Sequence, residues 1–68
     1  MNKKKKVRQN RIIEFRNGEF AFVGIKDMLI FSDASIILLN NYNCNLQNYY
    51  DSDYDIVNIY QIKKKLEL

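Results

Sequence analysis

Apolar and polar positions alternate on both sides of Asn17-Gly18, a dipeptide that favours a type I′ hairpin turn because both residues tolerate positive φ. A two-residue closure pairs Arg16 with Glu19, Phe15 with Phe20, Glu14 with Ala21 and Ile13 with Phe22. Ile13, Phe15, Phe20 and Phe22 then share one face, as a period of two requires. Arg16 opposes Glu19 on the other face as a cross-strand ion pair. Strands are expected at about 7–16 and 19–25.

A second hairpin follows. Met28-Leu29-Ile30-Phe31 and Ile36-Ile37-Leu38-Leu39 flank Ser32-Asp33-Ala34-Ser35. A four-residue turn pairs Phe31 with Ile36 and Leu29 with Leu38, leaving Met28, Ile30, Ile37 and Leu39 on the opposite face. Both faces are apolar, as in strands covered on two sides in a barrel, a sandwich or an oligomer. A helix over 26–39 is the rival reading. The β-branched and aromatic content and the Ser-Asp-Ala-Ser break favour strands. Residues 40–48 read as a loop anchored by Tyr42 and Leu46, with room for one helical turn at Asn45–Tyr49. Asp51 to Asp55 reads as an acidic turn and Ile56 to Ile62 as a last strand. The expected fold is all-β or β-rich, with four to five short antiparallel strands in a small open barrel or sheet. Its expected core is Ile13, Phe15, Phe20, Phe22, Leu29, Phe31, Ile36, Leu38, Val57 and Ile59.

At 68 residues the chain holds one domain, and a domain of this size buries only about 60% of its unfolded surface. Disulfides, metals or self-association usually compensate. Cys44 is the only cysteine and there is no histidine, which leaves self-association, and a dimer is expected. No apolar run is long enough to span a membrane. The stretch after the basic start is broken by Glu14, Arg16 and Glu19, unlike a signal-peptide core. These features read as a cytoplasmic protein. Abundant Lys, Asn, Ile and Tyr, with no Pro, His or Trp, suggest AT-rich coding DNA of a low-GC bacterium or its phage.

Charge divides the chain. Residues 1–11 carry six cations and no acid, residues 12–62 carry a net −5, and residues 63–68 a net +2. The expected organisation is a flexible basic arm at 1–6, one β-rich domain at 7–62 and a basic tail at 63–68. Like-charge runs are usually solvated. As an alternative, Lys3, Lys4, Lys5, Lys6, Arg8, Arg11, Arg16 and Lys26 are candidate contacts to phosphates.

Catalytic signals are weak, and no enzyme and no cofactor are expected. Asp51-Ser52-Asp53-Tyr54-Asp55 has the alternate acids of a calcium loop, but Ile56 and Ile62 stand where that loop needs glycine and glutamate. Cys44 has no histidine to activate it. Gly18 and Gly24 fit no phosphate loop. The five tyrosines all lie in the C-terminal half, and tyrosine is enriched at interfaces. Tyr49, Tyr50, Asp51, Asp53 and Tyr54 are therefore the candidate partner-binding residues.

The segment Ile36-Ile37-Leu38-Leu39-Asn40-Asn41-Tyr42-Asn43-Cys44-Asn45-Leu46, followed by Asp53-Tyr54-Asp55-Ile56-Val57-Asn58-Ile59-Tyr60, resembles small uncharacterised accessory proteins of phages and prophages of low-GC Gram-positive bacteria. Those pair an Asn-Tyr-Asn-x-x-Leu loop with a later Tyr-Asp-Ile-Val-x-Ile-Tyr strand, often with acids where Asn41, Cys44 and Asn45 stand here. The resemblance covers about half the chain and implies an inhibitor of a host defence effector, acting by protein contact. Two other functions are carried beside it. One is an oligomeric sponge for a nucleotide-like messenger, held by Arg8, Arg11, Arg16 or Lys26. The other is a nucleic-acid-binding module that uses the basic ends.

Overall fold

The computed structural model describes residues 2–61. Five strands, β1 (Arg11–Phe15), β2 (Phe20–Val23), β3 (Met28–Ile30), β4 (Ile36–Leu38) and β5 (Ile56–Gln61), form one open antiparallel sheet in the order β4-β3-β2-β1-β5. The fold is β-rich, as the alternation predicts. Among the described residues the helical pieces are single 3-10 turns at Lys3–Lys6, Leu39–Asn41 and Ser52–Tyr54, while Ile25–Asp27 is a tight turn with Lys26 and Asp27 at positive φ. The rival helix over 26–39 does not form, nor does a helical turn at 45–49, where Tyr42 instead bridges Asn48. The basic tail read at 63–68 lies outside the described residues, as do Met1 and Ile62.

Both hairpins close one residue differently from the expected register. β1 pairs Ile12 with Phe22, Ile13 with Ala21 and Glu14 with Phe20. The loop is Arg16-Asn17-Gly18: Gly18 N donates to Phe15 O, Phe15 N donates to Glu19 O, and Gly18 alone has positive φ, at 90°. That is a three-residue loop with a left-handed third residue, not a type I′ turn. The β3–β4 hairpin repeats the device over Ser32-Asp33-Ala34, pairing Met28 with Leu38, Leu29 with Ile37 and Ile30 with Ile36. A one-residue slip sends every side chain of a strand to the other face. Ala21 and Val23, not Phe20 and Phe22, therefore enter the core, and Ile36 and Leu38 point outward. Arg16 leaves Glu19 and pairs with Asp55.

The core is Val7, Ile13, Phe15, Ala21, Val23, Leu29, Leu39, Tyr42, Leu46 and Ile56, with Phe31, Ile37, Tyr54 and Ile59 packed against it. Of the expected core, Ile13, Phe15 and Leu29 are fully buried. Val57 is exposed because β5 shifts register opposite Glu14 and Phe15, so that Asn58 pairs with Glu14 and Ile56 with Phe15, and Val57 falls between them. The segment between β4 and β5 supplies Leu39, Tyr42 and Leu46 and covers one face of the sheet.

Candidate functional site

The loop from Asn48 to Asp55 is built by short side chains that hold backbone N–H groups. Asp55, buried at 6% exposure, accepts from Asn48 N at 2.8 Å and from the Arg16 guanidinium at 3.2 Å. Asn48 Oδ1 accepts from Tyr50 N and Asp51 N at 2.8 and 3.1 Å, and Asp51 Oδ1 accepts from Asp53 N at 3.0 Å. Such local side-chain bonds replace the ladder bonds a loop lacks. Arg16 N and Asn17 N donate to the carbonyls of Asp55 and Asp53, fastening the loop to the β1–β2 turn.

Tyr49 and Tyr50 project from this frame at 64% and 81% exposure, beside the exposed Asp51 and Asp53. Tyr54 is different. It is half-buried, edge-on to Phe15 and Phe31 with ring centroids 5.6 and 6.0 Å away, so it packs as well as lines the surface. Tyr42 is fully buried and donates to Tyr54 O at 2.6 Å; burial pushes its phenol up to about 12. Asp55, Asn48 and Tyr42 build the loop and were not among the candidates. Tyr42 is legible only as a loop anchor, and Asn48 directly before the tyrosine pair is the sequence signal for the turn there, since Asn bonds backbone two residues on. Asp51 and Asp55 spend oxygens on these bonds, and among the described residues no group of three or more His, Cys, Asp or Glu is placed to hold a metal.

A cleft of about 790 Å³ opens beside the loop, and its lining includes Phe20, Phe31, Ile36, Ile37 and Tyr54 together with Glu19 and Asp33. Bonds from Ser35 hold the Asp33 carboxyl below its usual range.

The cations gather elsewhere. The stretch read as a flexible arm takes up a 3-10 turn at Lys3–Lys6, capped by Asn2, with Lys3 N donating to Cys44 O at 2.8 Å and Val7 buried behind it. Arg8 Nε donates to Lys5 O at 3.1 Å. Lys5, Lys6, Arg8 and Arg11 line a shallow recess of about 410 Å³ with Ile59 and Gln61. Lys3 and Lys6 border a neighbouring hollow and Lys4 and Lys5 a third. Arg16 does not join them: it follows the opposite end of β1 and is bonded to Asp55. Lys26 sits in the β2–β3 turn and does not line the recess. The only ion pair among the described residues is Arg16–Asp55.

Cys44 is a free, exposed thiol. Among the described residues no helix is long and apolar enough to cross a membrane. Comparison with protein-family models, with curated proteins and with solved structures finds no match to this chain.

Proposed function

We propose that the chain is a non-enzymatic binding protein that recognises a partner protein through Tyr49, Tyr50, Asp51 and Asp53, with Tyr54 as the packed base of the site. The observation that carries this is the contrast within one loop. Its backbone is held by Asn48, Asp51 and Asp55, while two adjacent tyrosines stand in solvent. Large exposed rings on a preorganised backbone lose little entropy on binding. Asp51 and Asp53 suit a basic partner surface and act on association rate. The resemblance to phage accessory proteins makes a host defence effector the partner of first choice, in the bacterial cytoplasm. The test is affinity capture from host lysate with wild type and with Tyr50→Ala. A specifically captured protein should be lost in the variant, with affinity down about 30-fold for a hot spot of ~2 kcal/mol, while circular dichroism stays unchanged. Full retention in Tyr49→Ala/Tyr50→Ala would move the site elsewhere.

A second reading rests on the convergence of Lys5, Lys6, Arg8 and Arg11 on one recess. It is a contact for phosphates, of a nucleic-acid backbone or of a nucleotide. Nucleic-acid binding there would weaken steeply with salt, and Arg8→Ala/Arg11→Ala would reduce the salt slope by about 2.

A further inference from the structure

We propose that the uncovered face of the sheet is a self-association surface, covered by the same face of a second copy of this chain. Strand pairing places Ile36, Ile30, Phe22, Ile12 and Tyr60 in one row across all five strands. Phe20, Met28 and Leu38 flank that row on the same face. Phe20, Phe22, Ile36, Leu38 and Tyr60 are 52%, 38%, 49%, 47% and 47% exposed. The opposite face is already closed by Leu39, Tyr42 and Leu46. A sheet becomes a stable domain when both apolar faces meet another layer, and this one supplies only one such layer among the described residues.

Area and charge name the occupant. At ~200 Å² for an aromatic side chain, the exposed apolar groups of the face amount to roughly 500 Å². Two copies offer roughly 1,000 Å², which is what a standard interface of about 1,600 Å² requires if it is about 65% apolar, as in homodimers. Among the described residues Glu14 is the one charged side chain in the strand pairs of this face, and its carboxylate accepts from Asn58 Nδ2 at 2.9 Å and Tyr60 Oη at 2.8 Å. Among the described residues the face thus carries no charge pattern to select a partner of opposite charge, and no array of like charges to repel its own copy. Two sheets can stack on such faces about 10 Å apart. Phe20 and Ile36 share a cleft with Tyr54, but Tyr49 and Tyr50 do not line it, so Tyr50 variants test the loop apart from the dimer face.

The test is sedimentation equilibrium of the full chain from 1 to 200 µM, with circular dichroism on each variant. Wild type should sediment at twice the 8.2 kDa chain mass. Phe22→Lys, at the centre of the row, and Ile36→Lys, at its end, should each sediment as folded monomers. Tyr50→Lys should remain dimeric. If Phe22→Lys fails to fold, Ile36→Lys decides the matter. A wild-type chain that stays monomeric at 200 µM overturns the proposal, including the case in which the face then binds a different protein. A dimer that persists undiminished in Ile36→Lys and Leu38→Lys also overturns it, since the interface must then lie on another surface.

Discussion

Three loop positions share a left-handed backbone but carry different side chains. The turns Arg16-Asn17-Gly18, Ser32-Asp33-Ala34 and Cys44-Asn45-Leu46 repeat one hydrogen-bond pattern, and their third residues have φ of 90°, 73° and 65°. Glycine takes this conformation freely, whereas a Cβ costs roughly 1–2 kcal/mol there. Leu46 offsets the cost by burying its side chain at 6% exposure; Ala34 is exposed and does not. Ala34→Gly should therefore raise stability by roughly 0.5–1 kcal/mol in urea unfolding, after the entropy glycine loses on folding. Leu46→Gly should lower it. Tyr42 makes a second prediction. Its folded pKa of about 12 lies above the ordinary 10.0, so its contribution is complete below pH 10 and falls away as pH rises toward 12, by about 1 kcal/mol per pH unit. Tyr42→Phe should flatten that alkaline loss while costing ~1–2 kcal/mol at neutral pH, because the Tyr54 carbonyl loses its partner.

At the level of elements, loop length controls which residues form the core. With three residues in each loop, β2 buries Ala21 and Val23 and β4 turns Ile37 inward. Alternation holds within β1 to β4, where the offset between strands comes from the turns; β5 breaks it at Val57, where the pairing with β1 shifts by one residue. The C-terminal loop behaves as one unit docked on this sheet. Tyr54→Ala should cost about 2–3 kcal/mol through lost packing on Phe15 and Phe31. Tyr50→Ala should stay within about 0.5 kcal/mol, as surface substitutions do, so a binding loss in that variant reports the partner directly. Between β1 and β5, bonds from Asn58 and then Tyr60 hold the Glu14 carboxyl below its ordinary 4.5. Its contribution is present above pH 4.5 and lost as pH falls through the lower folded value. Glu14→Gln should remove that part of the acid dependence of unfolding.

At the scale of the molecule, opposite charges occupy opposite ends of β1. Lys5, Lys6, Arg8 and Arg11 cluster near its start, and Asp51, Asp53 and Asp55 lie beyond its end. A partner with a basic surface would be steered toward the loop end, and polyphosphates toward the recess. Raising salt from 50 to 300 mM should slow partner association at the loop, and Asp51→Asn/Asp53→Asn should remove most of that dependence in stopped-flow mixing without changing the unfolding midpoint. Phe22, at the centre of the apolar row, and Tyr50, in the loop, line no common cleft, so substitutions there report self-association and partner binding separately.

Local pattern alone determined that the chain is β-rich, the neighbourhood of each strand (the expected 7–16 and 19–25 shorten to Arg11–Phe15 and Phe20–Val23), and that Ile13, Phe15 and Leu29 are buried, because a period of two and β-branched content are properties of neighbouring residues. It also indicated strands apolar on both faces. Only the tertiary structure decided the register, since Asn17-Gly18 suits a two-residue turn as well as the bulged loop it adopts, and one residue of slip exchanges Phe22 for Val23 in the core. The candidate loop was legible as an exposed run of tyrosine and aspartate. The roles of Asp55 and Tyr54 were not, because burial depends on contacts with Arg16 and Phe15, 39 residues away in the chain in each case. The gathering of Lys5, Lys6, Arg8 and Arg11, and the separation of Arg16 from them, likewise follow from where β1 begins and ends. A strand over 7–16 would hold Arg8, Arg11 and Arg16 together, whereas β1 spans Arg11–Phe15 and leaves Arg16 beyond its end, within reach of Asp55.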